Sequence, residues 1–267
     1  MENNSMMSDV RISFYKKTIA KWIPDKDASI LVVGGGVTDQ SVLLDVGYKN
    51  VVISNLDTRL KGDEFTPYKW SFQKAEQLDF KDGEFDFVIV HAALHHCESP
   101  HRALLEMYRV SKIGIIAFES RDSWLMKIVE TMGLTQSYEH VAVYYNDGKF
   151  GGVNNTEIPN YIYRWTEREI EKTVNTYAPY ARHRFYYQYG SDIPFQVSVE
   201  KKALLKSIFV SSVKPIHKVF SLLFPKQQNL FAFYVEKPKI PDDLYPWIQV
   251  KDEKLKFNYA WAKEIYK

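Results

Sequence analysis

A repeated alternation of short apolar runs and helical segments over residues 28–120 constrains the fold more than any other feature of the sequence. The runs 29–33, 51–53, 85–90 and 113–118 are apolar at nearly all positions, which is typical of strands buried on both faces of a parallel sheet. Glycines or polar turn residues close the runs, and helical patterns separate them. This alternation predicts an α/β fold in which helices cover both faces of the sheet.

The remaining elements are predicted from periodicity and from helix-end signals. Helices are predicted over 10–23, 39–46, 100–110 and 124–132. An edge strand is predicted at 69–72, and two later strands at 182–189 and 230–236. Thr166 and Glu169 have the spacing of a capping box, so a helix should begin there.

We expect one domain over residues 1–267, because no linker or repeat divides the chain. Within it we expect an N-terminal helix in 1–27, a ligand-binding half in 28–122, and substrate-side insertions in 123–165 and 191–228. The stretch 195–224 is amphipathic and rich in Lys and Phe. It is expected to cap a pocket, although a surface that touches a membrane or a partner chain is the alternative.

Charge and cysteine content exclude several classes of protein. The chain has 35 Lys and Arg against 33 Asp and Glu, a net charge of +2, so no bulk electrostatic attraction to nucleic acid is expected. Cys97 is the one cysteine, which excludes an internal disulfide and a Cys-rich zinc site. The polar N-terminus resembles no signal peptide, no run is apolar enough for stable membrane insertion, and a cytoplasmic location is expected.

Three consecutive glycines, Gly34, Gly35 and Gly36, separate the first strand from the first helix of this alternation. Glycines at such a turn let a ligand approach the backbone closely, and ligands of open α/β sheets collect at this edge. The second strand ends near Asn55 and Asp57, which can bind ribose hydroxyls. The glycine spacing is not that of a dinucleotide-binding loop, so a nicotinamide oxidoreductase is disfavoured, and a turn without a ligand stays an alternative.

Several segments together resemble the motifs of class I S-adenosylmethionine-dependent methyltransferases. The first is Leu31-Val-Val-Gly-Gly-Gly36; the others are 74–78, 85–96, Ser99-Pro100 and 104–110. The resemblance covers roughly residues 28–120, under half of the chain. It implies a seven-stranded Rossmann-like, mostly parallel sheet with the last strand antiparallel, and S-adenosylmethionine as cofactor.

The same resemblance assigns cofactor-binding roles to particular positions. It implies that the cofactor is bound by Val33, Gly34, Gly35, Gly36, Asn55, Leu56, Asp57, Ala75, Glu76, His91 and Ala92. Three positions depart from the family pattern: Val32 replaces a common acidic residue, Thr38 a frequent glycine, and Lys74 an aspartate that faces the adenine. Lysine cannot accept a hydrogen bond. A catalytically silent binding or scaffold protein on the same fold is therefore the alternative function.

Histidines after the fourth strand are the candidate general bases, because they follow the strand end where the methyl group should lie. His95 is preferred, with His91 second. His95 and His96 are adjacent, so we expect that both cannot face the site and that they make a poor metal pair; no metal is predicted. Polar and aromatic residues that follow the fifth strand and the glycine–asparagine stretch at 151–156 are predicted to bind the acceptor: Glu119, Arg121, Tyr161, Tyr163 and Arg164.

These features predict a methyltransferase that transfers a methyl group in line to an oxygen of a small molecule or a sugar or glycan precursor. An RNA or protein methyltransferase is disfavoured by the near-neutral charge and the lack of a basic arm. The expected partners are the acceptor alone, with no nucleic acid, and the chain is expected to be a monomer or homodimer.

Overall fold

A seven-stranded sheet forms the centre of the computed structural model, which describes residues 8–133, 135–192 and 219–267. The sheet order is β3-β2-β1-β4-β5-β7-β6, and β8 and β9 pair separately as a hairpin. The strands are β1 (Ser29–Val33), β2 (Asn50–Asn55), β3 (Lys69–Phe72), β4 (Phe85–His91), β5 (Ser111–Glu119), β6 (Arg184–Gly190), β7 (Leu230–Glu236), β8 (Ile248–Lys251) and β9 (Lys254–Phe257).

Helices follow the strands in the first half of the chain and become irregularly spaced in the second. They are α1 (Asp9–Trp22), α2 (Val37–Val46), α3 (Pro100–Val110), α4 (Trp124–Thr131), α5 (His140–Tyr145), α6 (Glu167–Tyr177) and α7 (Tyr259–Ile265). Ser8 caps α1 through its side chain, and Thr166 and Glu169 form the predicted capping box of α6. Short polar side chains therefore fix these helix starts.

The order and direction of the strands identify the edge of the sheet at which a ligand can bind. β1 lies between β2 and β4 and is parallel to both, so the chain order reverses across β1 and β4. β7 runs antiparallel between β5 and β6, which confirms the expected antiparallel last strand. In open sheets of this kind, ligands bind beyond the carboxyl ends of the strands at the reversal.

The core has two layers because successive side chains of a buried strand point to opposite faces. Leu31 and Val33 pack in the layer with α3 and α6, whereas Ile30 and Val32 pack in the layer with α1 and α2. All four are at most 2% exposed. Val32 is thus a core residue of the layer that contains α1 and α2, and its side chain points away from the layer that contains α3 and α6.

The predicted strands and the first four helices are confirmed to within a few residues at their ends. The structure adds α5, the β8–β9 hairpin and α7, which the sequence patterns did not predict. Most of the predicted cap at 191–228 lies outside the described residues, and the proposed division of the domain stays a prediction. Among the described residues, no helix is both long and apolar enough to cross a bilayer.

Candidate active site

A cavity of about 260 Å³ opens at the carboxyl edge of β1 and β4. All predicted cofactor-binding residues line it except Gly35, Gly36 and His91. The other lining residues were not among the predicted cofactor-binding positions. They come from the β3–β4 connection, the end of β4, the segment after it and the loop at 151–155: Gln73, Lys74, Val90, Ala93, Leu94, His96, Cys97, Gly151, Gly152, Asn154 and Asn155.

Gly34 is the glycine of the triplet that the cavity requires. Its φ is +65°, a conformation that residues with a Cβ rarely adopt. A Cβ added there would lie 2.5 Å from the Cβ of Ala93. The turns after β1 and β4 therefore touch at Gly34, and a larger residue would force them apart.

Gly35 and Gly36 serve the fold rather than the cavity. A Cβ at Gly35 would lie 2.7 Å from Cγ1 of Val32, and its N–H donates to Ser54 O at 2.9 Å. The N–H of Gly36 donates to Oδ2 of Asp39 at 2.9 Å. Since both amides are already bonded, they do not form a phosphate cradle, in agreement with the glycine spacing.

The polar end of β2 is held by its own hydrogen bonds. Nδ2 of Asn55 donates to Gly35 O at 2.9 Å, and its Oδ1 accepts from the N–H of Asp57 at 2.9 Å. Burial favours the neutral form of Asp57, but hydrogen bonds from Arg59 outweigh it and lower the pKa of the carboxyl. The side chain of Asp57 is therefore an ionised carboxylate at the cavity wall.

Glu76 offers an acceptor oxygen without a hydrogen-bond donor. Its Oε1 accepts from the N–H of Ser99 at 2.9 Å, whereas the buried Oε2 has no hydrogen-bond partner among the described residues. Lys74 Nζ lies 3.7 Å from that oxygen and 3.5 Å from Glu98. Buried polar atoms are rarely left unpaired, and Glu76 lines the cavity, so a ligand donor that reached Oε2 would satisfy it.

The loop at 151–155 contributes four residues to the cavity wall. Asn154 and Asn155 have φ of 50° and 58°, a left-handed geometry that asparagine tolerates. A Cβ on Gly152 would lie 1.9 Å from Ile158 O, so this residue must be glycine. Asn155 helps to lower the pKa of the Asp57 carboxyl, so the loop interacts electrostatically with the end of β2.

His95 and His96 converge on Glu139, a residue that sequence reasoning did not single out. They lie on a single 3₁₀ turn, Leu94–His96, with ring centroids 4.6 Å apart. Nε2 of His95 lies 3.3 Å and Nε2 of His96 3.5 Å from Oε2 of Glu139. Of the two rings, only that of His96 lines the main cavity, as expected for adjacent residues, but the tight turn brings one nitrogen of each to the carboxylate that precedes α5.

Glu119 holds this turn from the sheet. Its Oε2 lies 2.8 Å from Nδ1 of His95, and its Oε1 accepts from the N–H groups of Ala93 and Leu94 at 3.0 and 2.8 Å. The side chain is 0% exposed. Glu119, predicted to bind the acceptor, is therefore occupied in orienting His95 and the turn after β4.

The two histidines differ in charge. Burial alone would lower the pKa of His95, but Glu119 and Glu139 outweigh it and raise the pKa to about 10. Burial, together with the neighbouring charge of His95, lowers the pKa of His96. Cys97 is a partly buried thiol whose pKa burial raises to about 12, so it is not a nucleophile at neutral pH.

His91 lies away from the main cavity. Its ring stacks on Tyr15 with centroids 4.7 Å apart, and it lines a separate hollow of about 60 Å³ together with His95 and Glu119. Burial lowers its pKa. His91 therefore packs beneath the turn rather than facing the Gly34 side.

The remaining predicted substrate residues are not among those that line the cavity. Arg121 is buried against Glu167, with Nη2 2.7 Å from Oε2. Arg164 Nη1 lies 3.4 Å from Glu130 Oε1, while the Tyr163 hydroxyl donates to Glu169. Tyr161 is half exposed and packs edge-on against Tyr138. The preceding glycine–asparagine stretch lines the cavity, whereas Tyr161, Tyr163 and Arg164 do not.

Comparison with known families identifies the strand–turn–helix core. Residues 36–118 match the family model described as "Methyltransferase domain". This range begins at Gly36 and ends in β5, so it contains the second strand end, the Lys74–Glu76 segment and the histidine turn. These parts line the cavity or support its wall.

Solved structures and a curated protein give further similarities. The PH0226 protein from Pyrococcus horikoshii OT3 superposes with a TM-score of 0.53 and 14% identity, over 88% of this chain and 93% of that one. Magnesium protoporphyrin IX methyltransferase from Synechocystis PCC 6803, solved with bound SAH (S-adenosylhomocysteine), gives 0.50 and 11%, over 89% and 90%. These similarities show the fold. The uncharacterized protein MJ1123 of Methanocaldococcus jannaschii is 43% identical over 60 residues, which span 21% of this chain and 29% of that protein.

Proposed function

We propose that this chain, whose residues 36–118 match a methyltransferase domain, is a class I S-adenosylmethionine-dependent enzyme that methylates a hydroxyl group of a small molecule or of a sugar or glycan precursor. The observation that carries the proposal is a single cavity that Gly34, Asp57 and Glu76 line at one side and the turn containing His96 at the other. Gly34, Asp57 and Glu76 suit a nucleoside, and the turn containing His96 lies where an acceptor would enter.

The residues present fit the cofactor. Gly34 keeps the backbone of the first turn open to close approach. Asp57 is ionised and can accept hydrogen bonds from ribose hydroxyls. Glu76 lines the same cavity, and its Oε2 accepts no hydrogen bond from the part of the chain that the structure describes, although Lys74 Nζ lies 3.7 Å away. It can therefore replace the acceptor that Lys74 does not provide.

When bound, the cofactor supplies a methyl group that its sulfonium has already activated. The task of the chain is to align an acceptor and to exclude water. Ala92, Ala93 and Leu94 give an apolar wall, and the amides of Asn154 and Asn155 give polar groups. Hydrogen-bonding groups beside an apolar wall favour a hydroxylated acceptor.

His95 and His91 were predicted as the acid–base residues, and the geometry separates their roles. We assign His95 a positioning role at the acceptor end, because Glu119 and Glu139 hold its two nitrogens. His91, stacked on Tyr15, supports the turn. His96 is the histidine that lines the main cavity and would contact the acceptor.

The test is a matched pair of substitutions, Glu76→Gln and Glu98→Gln. Both remove a carboxylate near Lys74, but Glu98 is largely exposed and does not line the cavity. We expect Glu76→Gln to weaken S-adenosylhomocysteine binding about 10-fold or more, since a hydrogen bond to a charged group contributes roughly 1.5–3 kcal/mol. Glu98→Gln should bind as the wild type does, with affinities measured by titration calorimetry.

Activity is tested with S-adenosylmethionine carrying a radiolabelled methyl group and a panel of phenols, polyols and nucleotide sugars. Label transferred to a hydroxyl supports the proposal. Equal binding by the two variants, or no binding by the wild type, contradicts the cofactor assignment. Tight binding without transfer to any acceptor favours the silent scaffold instead, the reading that Val32, Thr38 and Lys74 motivated.

A further inference from the structure

Three ligand-type side chains from two segments of the chain converge in one small volume. His95, His96 and Glu139 each place one nitrogen or oxygen within 4.8 Å of the others. The histidines follow β4 and the glutamate directly precedes α5, so the fold rather than local sequence brings them together. We propose that these three residues form a binding site for a divalent transition-metal ion.

The spacing of the donor atoms matches such a site better than it matches hydrogen bonds. The two Nε2 atoms lie 3.3 and 3.5 Å from Oε2 of Glu139, whereas charge-assisted N–H···O bonds are about 2.7–2.9 Å long. Zinc–nitrogen bonds of about 2.0–2.1 Å place neighbouring ligands of a tetrahedron roughly 3.3–3.4 Å apart. The two gaps to Glu139 therefore match the edges of such a tetrahedron, and the donor atoms of the two histidines lie within 4.8 Å of each other.

The second layer around the cluster also fits a metal. Metal-bound histidines commonly donate their other N–H to a carboxylate, which fixes the ring and its tautomer. Glu119 does this for His95, with 2.8 Å between Oε2 and Nδ1. Nε2 of His95 is the nitrogen that faces Glu139, and a metal ion would bind there by displacing the proton that this nitrogen carries when no ion is bound. Nδ2 of Asn160 lies 3.4 Å from Oε2 of Glu139 and orients that carboxylate.

The ligand types define the class of ion. Imidazole with one carboxylate suits Zn²⁺, Co²⁺ or Ni²⁺, whereas Mg²⁺ and Ca²⁺ prefer oxygen ligands. Three protein ligands leave at least one coordination position open, as in catalytic zinc sites. Because His96 lines the main cavity, the open position can bind an oxygen of the acceptor. That role rests on the proposed function, whereas the metal site itself does not.

Metal binding to the full chain tests the site directly. Protein stripped with a chelator is titrated with Zn²⁺ by calorimetry and with Co²⁺ by visible absorption. We expect one equivalent to bind, and His96→Ala and Glu139→Gln each to weaken binding at least 100-fold. Glu119→Gln should weaken it about 10- to 100-fold, the usual effect of removing a carboxylate behind a ligand. Circular dichroism confirms that each variant is folded.

The matched control is His140→Ala, because His140 is an exposed histidine next to Glu139 outside the cluster. It should bind Zn²⁺ as the wild type does. No saturable binding below millimolar Zn²⁺, or unchanged binding in both His96→Ala and Glu139→Gln, overturns the site. A S-adenosylhomocysteine titration on the same samples separates the two proposals: metal binding without nucleoside binding refutes the proposed function alone, and the reverse refutes the metal site alone.

Discussion

Substituting Gly34 by alanine is the sharpest perturbation of the turn that the cavity depends on. A residue with a Cβ in the left-handed region costs about 1–2 kcal/mol, and the φ of Gly34 is +65°. The new Cβ would also lie 2.5 Å from the Cβ of Ala93, an overlap of a kind that costs roughly 1–3 kcal/mol. Together these effects predict a loss of about 2–5 kcal/mol in the free energy of unfolding.

Gly36→Ala is the control within the same triplet. Its φ is −140°, which any residue adopts, and a Cβ there would meet nothing within 4 Å. Gly36 is the N-cap of α2, where alanine is less favourable than glycine by about 1 kcal/mol. Gly36→Ala should therefore cost much less stability than Gly34→Ala.

Urea unfolding followed by circular dichroism measures both variants, and calorimetry with S-adenosylhomocysteine measures their binding. We expect Gly34→Ala to lose both stability and binding, and Gly36→Ala to keep binding within a few-fold of the wild type. The reasoning is refuted if Gly34→Ala unfolds within 1 kcal/mol of the wild type and still binds the nucleoside, or if Gly36→Ala is the more damaging change.

The remaining predictions concern buried charges away from the cavity. Arg121→Met should reduce the free energy of unfolding by roughly 1.5–3 kcal/mol in a urea titration, since it removes a charged hydrogen bond to Glu167 and leaves Lys226, 3.4 Å from Oε1, as the cation beside it; an equal midpoint and slope would contradict this. Despite burial, Arg121 and Tyr189 lower the pKa of Glu167 from 4.5 to about 2, so the stability from this carboxylate is present above pH 4.5 and is lost as the pH falls toward 2. Burial, with a smaller contribution from Lys237, lowers the pKa of His183 from 6.5 to about 4; stability should therefore also fall between pH 6.5 and 4, and His183→Gln should reduce that dependence in thermal melts.

Sequence patterns predicted β1 and the start of α6 well, because interactions between residues close in sequence determine both. The run at 29–33 is buried on both faces and ends at glycines, and the structure has β1 over the same residues. Thr166 and Glu169 form the expected capping box. Signals of this kind depend on residues close in sequence, so no tertiary information is needed to interpret them.

The cluster at the acceptor end could not be predicted in the same way. Glu139 lies in a stretch without clear periodicity, and only the path of the chain brings it to His95 and His96. Likewise, Arg121 and Arg164 were predicted to bind the acceptor, but Glu167 and Glu130 lie beside them in the fold. Which charge meets which carboxylate is decided by tertiary packing.

The C-terminal elements were missed for a different reason. The β8–β9 hairpin turns at Asp252 and Glu253, both with positive φ, rather than at an Asn-Gly or Asp-Gly pair, which is the usual signal. All four residues of β9 are exposed, so the strand lacks the alternation of buried and exposed positions that sequence reasoning detects.

A crystal structure of the full chain grown with S-adenosylhomocysteine tests the central claim most directly. We predict the nucleoside in the cavity beside Gly34, with its polar groups on Asp57 and Oε2 of Glu76, and its sulfur toward the turn that carries His96. Ligand bound at another surface, or side chains filling that cavity at saturating ligand, would contradict it.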